Sequence, residues 1–157
     1  MMKRVAMSKM SQCISVAAII SGVVVGSSQP TTAGNFAARV GKSDYPASEP
    51  NCWAPNGPTI QNICPQGKYW YVPLANAGAG RFWLTVTAEA ANNSSNVQCI
   101  STGANRDGTG FIQSGWFSLP QFGVAANINL DTTIPSGGTG EADCYALPGG
   151  KLHTVSW

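Results

Sequence analysis

Few side chains in this sequence could carry out chemistry, and aromatic rings are the most conspicuous of them. Three rings occupy consecutive positions in the stretch KYWYV, at Tyr69, Trp70 and Tyr71. Neighbouring residues of a β-strand point to opposite faces, so one buried face cannot hold all three rings. Either the second face of this strand binds a ligand, or another part of the protein covers it.

Catalytic arrangements have weak support. The sequence has one histidine, His153, and no Gly-x-Ser-x-Gly motif, so a serine nucleophile with a histidine base is disfavoured. Glu141 and Asp143 are two residues apart, which on a strand puts both on one face, about 7 Å apart along it. An inverting glycosidase can use that separation, but such pairs are also common on solvated faces. The sequence therefore predicts no catalytic residues.

Four cysteines follow residue 33 and predict two disulfides, because paired cysteines are typical of exported proteins. Three pairings are possible. We favour Cys52–Cys64, which closes a local loop, and Cys99–Cys144, which joins two strands. Cys99 and Cys144 both fall at inward strand positions, as a bridge between two sheets would require. A metal site is disfavoured because no two cysteines have CxxC spacing, and no motif indicates a cofactor.

The first 33 residues have the order of a secretory signal peptide. A basic start (Lys3, Arg4 and Lys9) precedes an apolar run over residues 14–25, and small residues follow. The alternative is a membrane anchor, but the run is shorter than the ~20 residues of a spanning helix. We expect residues 1–33 to be removed, leaving a secreted or periplasmic protein without a membrane span.

The charge of residues 34–157 argues against nucleic acid as a partner. These residues include six basic and seven acidic side chains, which gives a net charge of −1. The positive excess of the whole chain therefore lies in its first 33 residues. Nucleic-acid binding needs several phosphate contacts from basic side chains, and an anionic membrane surface attracts basic segments for the same reason. Both partners are disfavoured.

The elements that must position these residues are short strands. From residue 68 onward, period-2 segments alternate with turns rich in Gly, Asn and Pro. This pattern predicts an all-β domain, an antiparallel β-sandwich or jelly-roll-like fold of about seven strands with two disulfides. Residues 34–67 are predicted to be an irregular lead-in with a disulfide-closed loop, forming one domain with the β-sandwich core at 68–157. The candidate strands are 69–74, 82–88, 97–101, 110–119, 124–131, 141–147 and 151–157.

The first two candidate strands are joined by a short Ala/Asn/Gly loop, which favours a hairpin. A register with Tyr71 opposite Trp83 satisfies the alternation of both strands at once, with the apolar residues inward. It predicts an outward cluster of Tyr69, Tyr71 and Trp83, with Lys68 and Arg81 at its edges. Aromatic faces of this kind can stack on sugar rings.

Two main functions remain open. The protein is either a non-catalytic carbohydrate- or cell-surface-binding module that uses the aromatic cluster, or a structural component of the cell exterior that buries it in a subunit contact. A carboxylate-dependent secreted hydrolase is the least favoured alternative. The sequence leaves open the oligomeric state and whether residues 34–65 cover the cluster.

Overall fold

A computed structural model describes residues 34–75 and 77–157, so the predicted signal peptide at 1–33 lies outside the described residues. In these described residues, twelve antiparallel strands form two sheets, which confirms the predicted all-β sandwich with two disulfides. Short 3-10 helices occupy Ala38–Val40 and Asn93–Ser95. Within the described ranges, no helix is long and apolar enough to cross a membrane.

The strands follow one another along the whole described chain. They are β1 (Asn35–Ala37), β2 (Lys42–Ser43), β3 (Trp53–Asn56), β4 (Thr59–Asn62), β5 (Lys68–Leu74), β6 (Gly80–Glu89), β7 (Val97–Ala104), β8 (Phe111–Gln113), β9 (Phe117–Ser118), β10 (Ala126–Ile134), β11 (Thr139–Ala146) and β12 (Lys151–Ser156). Sheet A has the order β10-β6-β12-β4-β3, with β1 also paired to β12. Sheet B has the order β2-β5-β11-β7-β8, with β9 also paired to β7.

The core lies between the two sheets and follows the alternation of the strands. Trp70, Val72 and Leu74 of β5 are buried, as are the alternate residues Phe82, Leu84, Val86 and Ala88 of β6. These inward positions agree with the sequence prediction. Val124 is an exception because it precedes β10 and is exposed rather than inward.

The predicted hairpin of β5 with β6 is wrong. β5 pairs with β2 and β11 in sheet B, whereas β6 pairs with β10 and β12 in sheet A. The partner of Tyr71 is therefore Asp143, and the partner of Trp83 is Asp131. The alternation of a strand predicts which face of the sheet each residue occupies. It does not predict the neighbouring strand, because any strand with the same alternation could pair with it. The chain crosses from one sheet to the other between Leu74 and Gly80.

The segment predicted to be an irregular lead-in also contains strands. β3 and β4 form a hairpin through Gly57, whose φ of 60° suits the left-handed region that glycine favours. Pro55 lies in β3, the edge strand of sheet A, where its missing N–H removes no ladder bond. The prolines around this hairpin concealed it in the sequence.

Both predicted disulfide pairings are present, but the second has a different role from the one expected. Cys99 of β7 and Cys144 of β11 are directly opposed within sheet B, with their Cα atoms 4.1 Å apart. The bridge therefore links neighbouring strands of one sheet rather than two sheets.

A buried amide contributes a link between the sheets. Asn62, at the end of β4 in sheet A, donates from Nδ2 to the carbonyl of Ala146 in β11 of sheet B at 2.8 Å. The same nitrogen donates to the carbonyl of Gln66, and Oδ1 accepts from the N–H of Cys64. The side chain is fully buried. Trp53 of sheet A also packs on Trp70 of sheet B, with ring centroids 4.8 Å apart.

Candidate functional site

The outer face of sheet B gathers aromatic and acidic side chains from neighbouring strands. The register pairs Tyr69 with Tyr145, and Tyr71 with Asp143, so all four side chains lie on the face away from the core. Glu141 precedes Asp143 on the same side of β11. We call this surface, together with Trp116, the tyrosine face; its residues are Tyr69, Tyr71, Trp116, Glu141, Asp143 and Tyr145.

The aromatic part of the tyrosine face is open to solvent. The Tyr69 ring lies 4.8 Å from the Tyr145 ring and 6.1 Å from the Trp116 ring, centroid to centroid. Tyr69 is 38% exposed and Trp116 is 48% exposed. Trp116 comes from the connection between β8 and β9, after Gly115, whose φ of 88° marks a turn. The three rings form a partly exposed aromatic surface at one end of the face.

The acidic part of the face is more enclosed. Burial raises the pKa of Asp143 to about 7, and the negative charges of Glu141 and Asp44 add to this effect. Burial likewise raises the pKa of Glu141. Burial and the nearby Glu141 charge raise the pKa of the Tyr71 hydroxyl to about 12. The Lys42 ammonium lies 5.2 Å from the centroid of the Tyr71 ring, on the side of the edge strand β2.

The two carboxyl groups on β11 affect each other's pKa. Beyond the effect of burial, the negative charge of Glu141 raises the pKa of Asp143, whereas the Asp143 side chain lowers the pKa of Glu141. Because the pKa of Asp143 is about 7, this group is partly protonated near neutral pH. The pair therefore offers both a hydrogen-bond donor and acceptors to a ligand.

The structure does not bring the five predicted binding residues together. Trp83 and Arg81 lie on β6, in sheet A, so the core separates them from Tyr69 and Tyr71. Lys68 is mostly buried and pairs with Glu49, Nζ to Oε1 at 2.7 Å. Of the predicted cluster, Tyr69 and Tyr71 alone share a surface.

The segment 34–65 does not cover the exposed rings in the described chain. It contributes β2 to the edge of sheet B beside Tyr71, and Tyr69 remains partly exposed. Trp83 is 64% exposed on the other side of the sandwich. Residues 34–65 therefore cover neither Tyr69 nor Trp83. That a partner subunit covers them remains a prediction.

Sequence reasoning missed Trp116 and Tyr145 as members of the site. Alternation predicted that the Tyr145 side chain points outward. Its position beside Tyr69 could not be predicted, because it depends on the pairing of β11 with β5. No sequence pattern indicated Trp116, because the segment around it has no regular alternation of apolar and polar residues. Among residues 34–75 and 77–157, no group of three His, Cys, Asp or Glu side chains could hold a metal ion.

The described fold is similar to solved carbohydrate-binding modules. The C-terminal CBM6 of LamC, a marine laminarinase from Zobellia galactanivorans, matches with a TM-score of 0.51 and 12% identity, over 79% of this chain and 97% of that chain. The module CBM6cm-2 of Cellvibrio mixtus lichenase 5A, in complex with cellotriose, has a TM-score of 0.46 and 10% identity, over 78% of this chain and 94% of that chain. The first likeness shows a shared β-sandwich fold. No protein-family model and no curated protein sequence matches the chain.

Proposed function

We propose that this protein is a secreted, non-catalytic carbohydrate-binding module that binds a neutral polysaccharide on the tyrosine face. The observation that carries this proposal is the partly exposed ring cluster of Tyr69, Trp116 and Tyr145 on the same face as Glu141 and Asp143. Aromatic rings can pack on the apolar face of a sugar ring while polar groups beside them bind its hydroxyls.

The electrostatics of the face favour a neutral ligand. Glu141 and Asp143 lie on the face, Asp44 lies close enough to raise the pKa values of both, and Lys42 stands beside Tyr71. An acidic polysaccharide would bring further negative charge towards three carboxyl groups, which costs free energy. Sugar hydroxyls, which both donate and accept, can bond to the carboxyl groups and to the Tyr71 hydroxyl.

The fold and the cysteines support the proposal without deciding it. One solved structure with a similar fold is named as the C-terminal CBM6 of a laminarinase, but a fold alone does not determine function. Two disulfides suit an oxidising compartment outside the cytoplasm, in keeping with the predicted signal peptide.

Calorimetric titration with a panel of laminari-, cello-, galacto- and xylo-hexaoses tests the proposal. Trp116→Ala and Tyr69→Ala should each weaken binding by roughly tenfold, the equivalent of about 1.4 kcal/mol. Both residues are exposed, so neither variant removes core packing. Phe122→Ala is the control, because Phe122 is an exposed aromatic residue whose neighbour Gly123 bonds to Ala90, just beyond β6 of sheet A. Unchanged binding by both site variants would refute the tyrosine face as the site.

A second candidate, a structural or assembly protein of the cell exterior, is favoured by a separate observation. Besides Trp116 and the control residue Phe122, four apolar side chains from β8 to the start of β10 are exposed, and apolar surface of this kind often marks a protein contact. Sedimentation of the purified protein tests this candidate: a stable oligomer supports it, and a monomer at high concentration contradicts it. The four residues are Phe111, Ile112, Phe117 and Val124.

A further inference from the structure

The turn between β3 and β4 contains the sole Asn-Gly dipeptide of the sequence, Asn56-Gly57. Asn56 pairs with Thr59, so Gly57 and Pro58 form a two-residue loop. Gly57 has a φ of 60°, whereas the ring of Pro58 excludes the second positive φ of a type I′ turn, so the turn is of type II′. Asn56, Gly57 and Pro58 are all exposed, and β3 is the edge strand of sheet A. Solvent therefore reaches the whole dipeptide.

The two groups of this dipeptide that can react with each other are both free. Within residues 34–75 and 77–157, neither the Asn56 side-chain amide nor the Gly57 N–H makes a hydrogen bond to another protein group. Nothing lies within 4 Å of the position that a Cβ on Gly57 would take. No neighbouring side chain therefore shields the Gly57 nitrogen on that side, and no bond holds the Asn56 amide away from it.

The reaction open to these groups is closure of a five-membered imide ring. The Gly57 nitrogen loses its proton to hydroxide and forms a bond to Asn56 Cγ, while the bond from Cγ to the side-chain nitrogen breaks and ammonia leaves. Water then opens the ring at either carbonyl. Opening at Cγ gives an ordinary aspartate, and opening at the main-chain carbonyl gives isoaspartate, in which the main chain runs through Cγ. Glycine favours the attack because it has no Cβ beside its nitrogen.

Ring closure requires the turn end of the hairpin to open locally. Asn56 belongs to β3, and an extended backbone holds the following nitrogen out of line with the Asn56 side chain. β3 is four residues long and pairs only with β4, so its exposed end opens at low cost. The far end is held by the Cys52–Cys64 disulfide and by Trp53, which packs on Trp70. Opening is therefore confined to the turn.

The Asp-Gly dipeptide of the sequence, Asp107-Gly108, is protected by comparison. Asp107 Oδ1 accepts from the Thr109 N–H at 3.1 Å and from the Thr109 hydroxyl at 2.8 Å. These bonds lower the pKa of Asp107, so the group is an ionised carboxylate, which a nucleophile attacks poorly. Both dipeptides have a glycine with positive φ. Only the Asn56 side chain is uncharged and unbonded.

We infer that Asn56 is a site of spontaneous deamidation and isoaspartate formation, and that this modification loosens the β3–β4 hairpin. The Arg39 N–H donates to the Pro58 carbonyl at 3.3 Å, and Arg39 Nη1 donates to the Gly57 carbonyl at 3.2 Å. Isoaspartate adds one carbon to the main chain ahead of Gly57. The register of β3 with β4 and the two bonds from Arg39 cannot all be kept, so the edge of sheet A should lose stability.

The experiment follows folded wild type, Asn56→Gln and Asn93→Gln during long incubation at pH 8. Peptide mass mapping locates each deamidated residue, and labelling by an isoaspartyl methyltransferase detects isoaspartate. Wild type should accumulate isoaspartate at position 56 and release ammonia, faster at pH 8 than at pH 6, because the attacking nitrogen must lose its proton. Asn56→Gln should stay unmodified there, because glutamine would have to close a larger ring. Asn93→Gln is the matched control and should behave as wild type, since Asn93 is exposed but precedes serine.

Urea unfolding of the modified fraction, separated by ion exchange, tests the second half of the inference. Its midpoint should be lower than that of fresh wild type; an equal midpoint overturns the loosening of the hairpin. Aspartate without isoaspartate at position 56 overturns the imide route. An unmodified Asn56 in folded wild type, with conversion in the reduced and unfolded chain, shows that the turn does not open and overturns the inference. The reaction needs no ligand, so none of these results depends on the proposed function.

Discussion

Replacing Asp143 by asparagine should stabilise the protein at alkaline pH. The carboxyl group lies on the tyrosine face with a pKa of about 7, raised from 3.8 mainly by burial. Between those two pH values the folded protein holds a proton that the unfolded chain releases. The free energy of unfolding of wild type therefore falls as pH rises from about 4 to about 7, and the contribution of this group is constant above that. Asparagine carries no charge, so the free energy of unfolding of the variant should not fall with pH for this reason.

The size of the effect follows from the same two values. The difference between 3.8 and about 7 corresponds to about 4 kcal/mol, at about 1.36 kcal/mol per pH unit. Asp143 is half-buried rather than enclosed, and solvent screens the charge, which reduces the expected gain to about 1–2 kcal/mol. Asp143→Asn should thus exceed wild type by that amount at pH 8 and differ little at pH 4.

Urea unfolding, followed by tryptophan fluorescence at pH 4, 6 and 8, measures the difference. Asp131→Asn is the control, since it removes a strand aspartate that pairs with Arg81 on the opposite sheet. It should lose about 0–1 kcal/mol at pH 8, as expected for an exposed ion pair. A variant Asp143→Asn that is no more stable than wild type at pH 8, or gains equally at pH 4, would contradict the reasoning.

The remaining predictions concern the sandwich itself and are measured by urea unfolding at pH 7. Asn62→Leu should lower the free energy of unfolding by about 3 kcal/mol, because its three main-chain partners are left unsatisfied. Gly103→Ala should lower the free energy of unfolding by about 2–3 kcal/mol, because the added Cβ overlaps a carbonyl of β10. In the control Gly110→Ala, the added Cβ lies 3.3 Å from the end of a side chain, and the loss should be under about 1 kcal/mol. Replacing Cys99 and Cys144 by serine should cost about 2–4 kcal/mol, because their bridge spans 45 residues. Reduction with dithiothreitol should then no longer destabilise the protein through that bridge.

The sequence predicted which face of a strand each residue occupies better than which strand lies beside it. Alternation along β5 placed Trp70 in the core and Tyr69 outside, and both are so placed. The face that a residue occupies depends on the alternation within its own strand. The strand that pairs with it depends on contacts between segments far apart in the sequence. The predicted neighbour of Tyr71 was Trp83, which lies in sheet A, across the core from the tyrosine face.

The same limit explains the disulfide and the missed rings. Inward cysteines on two strands fit a bridge across the core or a bridge between adjacent strands, and only the pairing of β7 with β11 distinguishes them. Trp116 joins the tyrosine face because an irregular connection returns to Tyr69, and no local pattern encodes such a return.

The two ends of the described domain meet. The N–H of Gly34 donates to the carbonyl of Trp157 at 2.7 Å, and the reverse bond is also made. A short linker could therefore join them, and the chain could be reopened at the exposed turn between Asn105 and Gly110, giving a circular permutant with the same sandwich. A tag or surface anchor at either end would extend from β1 or β12 of sheet A, across the core from the tyrosine face. Protein immobilised through either end should therefore keep the tyrosine face accessible to ligand, whereas the permutant, immobilised through new ends that follow β7 of sheet B, should bind less ligand.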